Sequence, residues 1–191
     1  WRRTTGWAGS SSRTGSARVR SVASRIAASP TLRGVGGSLL TKVILRDTAE
    51  ADLPLFFEWQ RDPVANRMAA FTAKDPTARE AFTAHWTKIL WDDAIIKKTI
   101  LFGGRVIGSI AKFEWLGKPN VTYWIGREYW GRGFATQALS QFLRDVKTRP
   151  LYANAAKDNL ASIRVLQKCG FAITRSATAF ANARGEEIEE V

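Results

Sequence analysis

The chain has 191 residues, of which 45% are hydrophobic and 11% aromatic, and a formal net charge of +12. A chain of this length and composition can bury one substantial core, so we expect a single domain with a tail. The single cysteine excludes an internal disulfide framework or a cysteine-rich metal site and fits a reducing, cytoplasmic location. Because no apolar run approaches the roughly 18 residues of a membrane span, we expect no membrane among its partners. One histidine and one cysteine leave no metal-site pattern, so we expect no metal.

The positive charge is concentrated at the start of the chain. Residues 1–40 hold seven arginines, no lysine and no acidic residue, so the remaining residues carry 22 basic and 17 acidic groups and a net charge of +5. This Arg-, Ser- and Gly-rich segment has too little apolar surface to offset the entropy of ordering it, and we predict that it is disordered. We favour a solvated leader or a wrongly assigned start over a basic arm for nucleic acid or an organelle transit peptide.

Residues 41–191 are predicted to form one folded domain that opens with a strand, two helices and an antiparallel sheet. β-branched content predicts the strands, and apolar residues at helical spacing predict the helices. Gly103 and Gly104 join two of the strands as a hairpin. The predicted elements are a strand at 42–46, a helix capped by Asp47 or Thr48, a helix at 78–93, and strands at 94–102, 105–115 and 120–125.

The apolar spacing changes after Gly133, where a long amphipathic helix is predicted. A strand on each side of this helix makes a parallel crossover. Its apolar face comprises Ala135, Ala138, Leu139, Phe142, Leu143 and Val146. The later predicted elements are a strand at 150–156, a helix capped by Asp158 or Asn159 and stopped by Gly170, and two strands at 171–180 and 186–191, the last cut short by the end of the chain.

Two glycines, Gly131 and Gly133, flank Arg132 immediately before the long helix. A helix N-terminus carries unpaired N–H groups and partial positive charge, and glycines there let the backbone close around an anion. The stretch therefore predicts a phosphate site, with a plain strand-to-helix turn as the alternative. A dinucleotide fingerprint is excluded because its third glycine is replaced by Thr136, and no Walker-type Gly-Lys-Ser/Thr ending is present.

The stretch "WGRGFA" after "YWI", followed by an amphipathic helix and "KDNLASIRVLQKCGF", resembles the two signature motifs of the GNAT superfamily of N-acetyltransferases. The resemblance covers roughly residues 42–191, and its specific part is 123–171. Within the superfamily it is most similar to the Rim-type branch of ribosomal-protein N-terminal acetyltransferases. It implies an α/β fold with a mostly antiparallel mixed sheet of about six to seven strands, a central parallel crossover and about four flanking helices.

The resemblance also implies acetyl-CoA as co-substrate and a primary amine, either a protein N-terminus or a small molecule, as acceptor. The sheet would open beside 120–125 so that the pantetheine arm binds as an added strand would. Main-chain contacts to that arm would come from Tyr123, Trp124 and Ile125. The diphosphate and the rest of the arm would be held by Gly131, Arg132, Gly133, Phe134, Ala135, Thr136, Asn159 and Arg164 or Lys168.

The implied reaction is direct attack of the amine on the thioester through a tetrahedral intermediate, with the Ile125 N–H as an oxyanion donor. Many family members carry a tyrosine that protonates the thiolate, where this chain has Leu166. The resemblance implies Ser162 as its substitute, with Asn159 beside it, whereas a surface serine near the helix cap is the alternative. The base stays open: the candidates are Glu58, Glu114 and Glu128, and Asn120 lies where relatives often have an acid.

Two other protein classes remain open at this point. A non-catalytic acyl-CoA sensor would fit Leu166 and the missing base, and a nucleic-acid-binding protein would fit the basic segment, although we do not expect nucleic acid as a partner. We expect His85 and Cys169 to be core or boundary residues. Oligomeric state is open, with a homodimer as one alternative.

Overall fold

The computed structural model describes residues 17–19 and 42–191 of the chain. Within these ranges it has a seven-stranded mixed sheet in the order β2-β3-β4-β5-β6-β1-β7 and a two-stranded sheet of β8 and β9. The strands are β1 (Ala17–Val19), β2 (Val43–Asp47), β3 (Ile96–Phe102), β4 (Arg105–Trp115), β5 (Lys118–Ile125), β6 (Tyr152–Ala153), β7 (Phe171–Ile173), β8 (Ala177–Ala181) and β9 (Glu186–Glu190). The helices are α1 (Leu53–Gln60), α2 (Pro63–Ala69), α3 (Arg79–Trp91), α4 (Phe134–Asp145) and α5 (Leu160–Lys168).

This architecture confirms the predicted mixed α/β fold, with antiparallel pairs from β2 to β5 and a parallel pair between β5 and β6. The prediction of a helix capped by Asp47 or Thr48 is wrong in its start, because Asp47 ends β2 and α1 begins only at Leu53, after a 3₁₀ turn at Glu50–Asp52. A second helix, α2, is divided from α1 at Asp62, whose side chain accepts hydrogen bonds from the Val64 and Ala65 amides and caps α2. Pro63 explains the division, because proline cannot donate within a continuing helix but is tolerated in the first turn.

The end of the domain differs from the prediction in two places. The strand predicted at 171–180 is two strands, because β7 pairs in the large sheet whereas β8 pairs with β9. The predicted α4 face included Val146, but α4 ends at Asp145 and Val146 is an extended C-cap residue that is nevertheless buried.

The segment predicted to be disordered, 1–40, contains three described residues. These residues, Ala17–Val19, form β1 between β6 and β7, and disorder of the segment stays a prediction. Two neighbouring strands supply hydrogen-bond partners for their main chain, which the composition of the segment does not reveal. The remainder of 1–40 lies outside the described residues.

Helices cover the sheet on both faces and define two apolar clusters. One face, here called the α4–α5 face, packs β5 side chains such as Val121 and Ile125 against Leu139 and Phe142 of α4. On the other face, here called the α1–α3 face, α1 and α3 build an aromatic cluster that includes Trp59 and against which Trp124 of β5 packs. Alternate residues of β5 therefore belong to opposite faces. No helix in the described ranges is long and apolar enough to cross a membrane.

Candidate functional site

The large sheet opens between β5 and β6. The two strands pair in parallel only at Asn120 and Tyr152. Beyond that point β5 continues to Ile125, and β6 ends at Ala153. A strand edge that has lost its neighbour presents main-chain donors and acceptors to whatever enters the gap.

The hairpin between β4 and β5 decides which groups face this gap. Its two-residue loop, Leu116 and Gly117, has positive φ at both positions, so the closing pair Trp115 and Lys118 is hydrogen-bonded. Hydrogen-bonded pairs alternate along an antiparallel ladder. The Gly126 N–H indeed donates to the Ile107 carbonyl, 3.0 Å away on β4.

The same alternation separates the three β5 residues that were predicted to contact an added strand. The main-chain groups of Tyr123 and Ile125 point to the gap, whereas those of Trp124 point to Ser109 on β4. Trp124 is therefore not placed to offer a main-chain contact, which corrects the prediction for this residue. Its side chain instead joins the aromatic cluster, where its Nε1 atom is buried without a hydrogen-bond partner in the described ranges.

The loop before α4 has the geometry of an anion site. Gly131 and Gly133 have φ values of 75° and 74°, in the left-handed region that favours glycine. A Cβ atom on either residue would meet nothing within 4 Å. The glycines are thus required by backbone conformation, and the space in front of them is open.

The main-chain donors of this loop are unused by the described protein. None of the N–H groups from 131 to 136 donates a hydrogen bond there, and the first helical bond runs from Gln137 N to Gly133 O over 3.1 Å. Arg132 is exposed beside them and forms no ion pair with a described residue, and Ala135 and Thr136 are partly exposed. Unpaired amides at a helix N-terminus, with an arginine beside them, favour a phosphate ligand.

Two aromatic side chains hold this loop against the sheet. Phe134 is buried, and its ring centroid lies 4.4 Å from that of Phe102 on β3. Trp130 donates its indole N–H to the Ile125 carbonyl at 2.8 Å. Trp130 therefore connects the loop to the end of β5.

A pair of hydroxyl groups bridges β5 and α5. The Tyr123 phenol oxygen lies 2.7 Å from Ser162 Oγ, where either hydroxyl can be the donor, and 3.3 Å from the Ser162 carbonyl, which is the alternative acceptor for its single proton. Burial raises the pKa of Tyr123 to about 12, and the hydrogen bond with Ser162 only partly offsets this. The phenol is therefore a neutral donor at physiological pH. Sequence reasoning missed this role of the Tyr123 side chain, since 39 positions separate the two residues.

Asn159 is the N-cap of α5. Its Oδ1 accepts from the Ser162 N–H at 3.1 Å, and its Nδ2 donates to the Met68 carbonyl at the end of α2, also at 3.1 Å. The side chain thus connects α2 to the turn that carries Ser162. Arg164, farther along α5, is exposed and forms no ion pair with a described residue, and Leu166 is buried in the core.

The candidate bases named from the sequence lie apart from one another. Glu58 is exposed and pairs with Arg61 at 3.1 Å, and Glu128 accepts from the Trp59 indole at 3.1 Å. Glu114 lies exposed near the hairpin end of β4. Asn120 is buried, and its Nδ2 donates to the Lys118 carbonyl at 2.9 Å. None of these contacts singles out one of the three glutamates as a base.

Cys169 lies at the end of α5, and its Sγ is 3.4 Å from Ser140 Oγ. Burial raises the pKa of this thiol, although the hydrogen bond with Ser140 opposes the rise. A thiol with a raised pKa is a poor nucleophile at neutral pH. For His85, whose charged form is the protonated one, burial lowers the pKa, and the charge of Lys88 lowers it further. The imidazole is therefore neutral at physiological pH.

A sheet that opens beside a glycine-rich, amide-lined helix start is the arrangement that the resemblance to the N-acetyltransferases implied. The family model of the acetyltransferase (GNAT) domain matches residues 42–172. The chain belongs to the GNAT family. The Rim-type branch is not confirmed by this match, and no curated protein sequence matches the chain at a significant level.

Solved structures share the fold at low sequence identity. Spermidine N-acetyltransferase from Vibrio cholerae, in complex with CoA and spermine, has a TM-score of 0.65 and 16% identity over 78% of this chain and 93% of that one. A GNAT-family acetyltransferase from Bacillus anthracis has a TM-score of 0.64 and 15% identity over 79% and 92% of the two chains. AAC(6')-Ib, in complex with ribostamycin and coenzyme A, has a TM-score of 0.58 and 16% identity over 78% and 92%.

Proposed function

We propose that the protein is an acetyl-CoA-dependent N-acetyltransferase that transfers an acetyl group to a primary amine. The observation that carries this proposal is the set of unused N–H groups from 131 to 136 at the start of α4, which can receive a diphosphate. Family membership supports the same chemistry. Two of the structural neighbours, whose own complexes contain CoA with spermine or ribostamycin, support an amine as the acceptor.

The chain offers a binding mode along the edge of β5. The N–H and carbonyl groups of Tyr123 face the gap and can pair with the amide groups of a pantetheine arm, as a neighbouring strand would. Arg132 and Arg164 are exposed charges that can meet phosphates. The Ile125 N–H also faces the gap and can stabilise a developing oxyanion, while the Ile125 carbonyl accepts a hydrogen bond from Trp130.

Ser162 supplies the proton that the leaving thiolate needs. Because the buried Tyr123 phenol remains protonated at neutral pH, it can donate to Ser162 Oγ and leave the serine proton free to point at the sulfur. Asn159 fixes the turn on which Ser162 lies, and its Oδ1 retains a second lone pair for the cofactor arm. A serine in this role is the feature that favours the Rim-type branch and a protein N-terminus or a small amine as the acceptor.

The experiment that tests this function has two stages. Acetyl-CoA should raise the melting temperature of the purified protein, because a ligand that binds only the folded state stabilises it. Incubation with labelled acetyl-CoA and a panel of free amines and peptides should then produce labelled amide. Binding without any product would favour a non-catalytic acyl-CoA sensor on the same fold, and the absence of binding would refute both. A cytoplasmic location remains a prediction.

A further inference from the structure

Glu128 lies just past the end of β5, and a buried indole holds its carboxylate. The residue belongs to the short turn Arg127–Tyr129, and its Oε1 accepts a hydrogen bond from Trp59 Nε1 at 3.1 Å. Trp59 is 7% exposed and belongs to the aromatic cluster of α1 and α3, so this donor has a fixed position. The hydrogen bond alone does not distinguish Glu128 from the other candidate glutamates, but the position of its carboxylate does.

Gly126 shows on which side of the sheet this carboxylate lies. A Cβ atom on Gly126 would lie 2.7 Å from the Trp59 ring and 3.0 Å from Glu128 Oε2, so both groups occupy the space beside the Gly126 Cα. Gly126 has the same parity along the chain as Trp124, whose side chain packs on the α1–α3 face. The preceding residue is Ile125, whose N–H faces the gap. The carboxylate therefore lies on the α1–α3 face, next to the proposed oxyanion donor.

The charge of Glu128 is available to a ligand. Its side chain is exposed and forms no ion pair with a described residue. The arginines on the two elements that hold it are already paired, because Arg127 binds Asp62 at 2.8 Å and Arg61 binds Glu58 at 3.1 Å. A carboxylate without a cationic partner offers a charge-assisted hydrogen bond to an ammonium group.

The other two candidate glutamates are less well placed. Glu58 is paired with Arg61. Glu114 lies opposite Pro119, six residues before Ile125 along β5, which corresponds to roughly 20 Å at the rise of a strand. Of the three glutamates, only Glu128 lies beside the end of β5 with its charge unpaired by described residues.

We propose that Glu128, held by Trp59, receives the ammonium group of the acceptor and passes one of its protons to solvent. This inference rests on the proposed function and names the base that the sequence left open. An alkylammonium group resembles that of lysine, whose pKa is about 10.4, so the acceptor arrives charged at neutral pH. Its nitrogen can attack only after it loses a proton, and the exposed side of the carboxylate gives that proton a path to water.

The proposed acid and the proposed base lie on opposite faces of the sheet. Tyr123 packs on the α4–α5 face, where it contacts Ser162, whereas Glu128 lies on the α1–α3 face. Trp124 is partly exposed on the same face as Glu128 and offers an aromatic surface to the carbon chain of an amine. The nitrogen and the sulfur occupy different positions around the tetrahedral carbon, and the two faces serve these positions separately.

The protons and bonds of the step balance. One proton of the ammonium group passes to the Glu128 carboxylate and then to water. The neutral amine forms a bond from nitrogen to the carbonyl carbon, and the bond from that carbon to sulfur breaks. A second proton of the nitrogen is lost to solvent, and Ser162 supplies a proton to the sulfur and is reprotonated from solvent. The products are the amide, the free thiol of CoA and one proton.

The test compares E128Q with E114Q, which makes the same chemical change at an exposed glutamate far from the gap. The probes are spermine, ribostamycin and a peptide with a free N-terminus, and the best acceptor among them is used. We expect E128Q to lower kcat/KM for this amine by about 10²- to 10⁴-fold, while the affinity for acetyl-CoA stays within about twofold. E114Q should behave as the wild type. W59F should cause a smaller loss than E128Q, because it removes the donor that positions the carboxylate and keeps the carboxylate itself.

The pH dependence separates a base from a residue that only supports the fold. In E128Q the enzyme depends on amine that is already neutral in solution, and this fraction increases as the pH approaches about 10. The ratio of wild-type to E128Q kcat/KM should therefore shrink between pH 7 and that value. A ratio that does not change with pH would refute the role of Glu128 in proton removal.

Thermal unfolding provides a readout that does not depend on turnover. E128Q keeps an oxygen that can accept from Trp59 Nε1, so we expect its melting temperature to stay close to that of the wild type. A folded E128Q enzyme with wild-type kcat/KM would overturn this proposal and leave the proposed function intact. A wild-type protein that acetylates no amine would overturn both. A large loss of melting temperature in E128Q would assign Glu128 to stability and likewise count against the proposal.

Discussion

The Tyr123 phenol oxygen and Ser162 Oγ lie 2.7 Å apart, and this contact joins the edge of β5 to the second motif helix. The contact places a hydroxyl group with a buried donor behind it at the gap in the sheet. Leu166, the position at which many relatives have a tyrosine, is buried in the core. The hydroxyl pair is therefore the described feature best placed to replace that missing acid.

We expect S162A to lower kcat by about 10- to 100-fold with little change in acetyl-CoA affinity, because general acid catalysis acts mainly in the transition state. Y123F should cause a smaller loss, since it keeps the serine proton but removes the donor behind it. Steady-state kinetics and a thermal-shift titration measure the two effects separately. Unchanged turnover in S162A would assign the serine to the turn that Asn159 caps.

The anion site predicts the effect of a charge at Gly133. G133D should abolish the thermal shift produced by acetyl-CoA, because it places a carboxylate where the diphosphate would bind. The matched control is G104D in the β3–β4 hairpin, where φ is 76° and a Cβ likewise meets nothing within 4 Å. Both variants carry similar backbone strain, so only the ligand response should separate them. An undiminished shift in G133D would contradict the site.

Trp130 should contribute to cofactor affinity through the position of the loop. In W130F the Ile125 carbonyl loses its indole donor, a bond worth about 1 kcal/mol. We therefore expect the Kd for acetyl-CoA to rise by about fivefold. W91F is the control, because Trp91 is 84% exposed on α3. Calorimetric titration of both variants would test this, and equal Kd values would show that the loop holds its position without Trp130.

Asp52 governs the stability of the domain in acid. It is 4% exposed and accepts hydrogen bonds from Arg46 at 2.7 Å, Thr99 at 2.7 Å and the Ala49 N–H at 3.0 Å. Burial alone would raise the pKa of Asp52, but these bonds and the charge of Arg46 lower it below its ordinary value of 3.8. The ionised carboxylate therefore adds stability that is fully present above that value and is lost as the pH falls through the folded-state pKa.

We expect D52N to reduce the free energy of unfolding at pH 7 by about 2–3 kcal/mol, since a buried ion pair loses one partner. The difference from the wild type should shrink as the pH falls below about 4. D47N is the control, because the exposed Asp47 pairs with Lys98 at 2.6 Å at the surface and should contribute much less. Urea unfolding at several pH values provides the measurement, and a pH-independent difference would contradict the assigned role of the charge.

Much of the fold follows from local patterns in the chain. The strand predicted at 105–115 coincides with β4, and the helical spacing after Gly133 corresponds to α4. Gly131 and Gly133 have left-handed φ values, which glycine adopts at little energetic cost. Asn159 caps α5 as its side-chain chemistry suggests. These features depend on neighbours within one or two helical turns, which a sequence displays directly.

The tertiary structure decided which distant residues meet. Asn159 reaches Met68, 91 positions away, and Asn154 reaches Glu190, 36 positions away. Both contacts depend on the register of strands and on the place where β5 and β6 separate, and no local pattern encodes that place. Strand pairing also decides that β7 and β8 belong to different sheets. It likewise decides that the main-chain groups of Trp124 face β4. The sequence by itself determined β4, α4, α5 and the glycine-rich loop, because these follow from local backbone and side-chain preferences. Only the folded chain decided that the hydroxyl groups of Tyr123 and Ser162 meet, because their proximity results from long-range packing of β5 against α5.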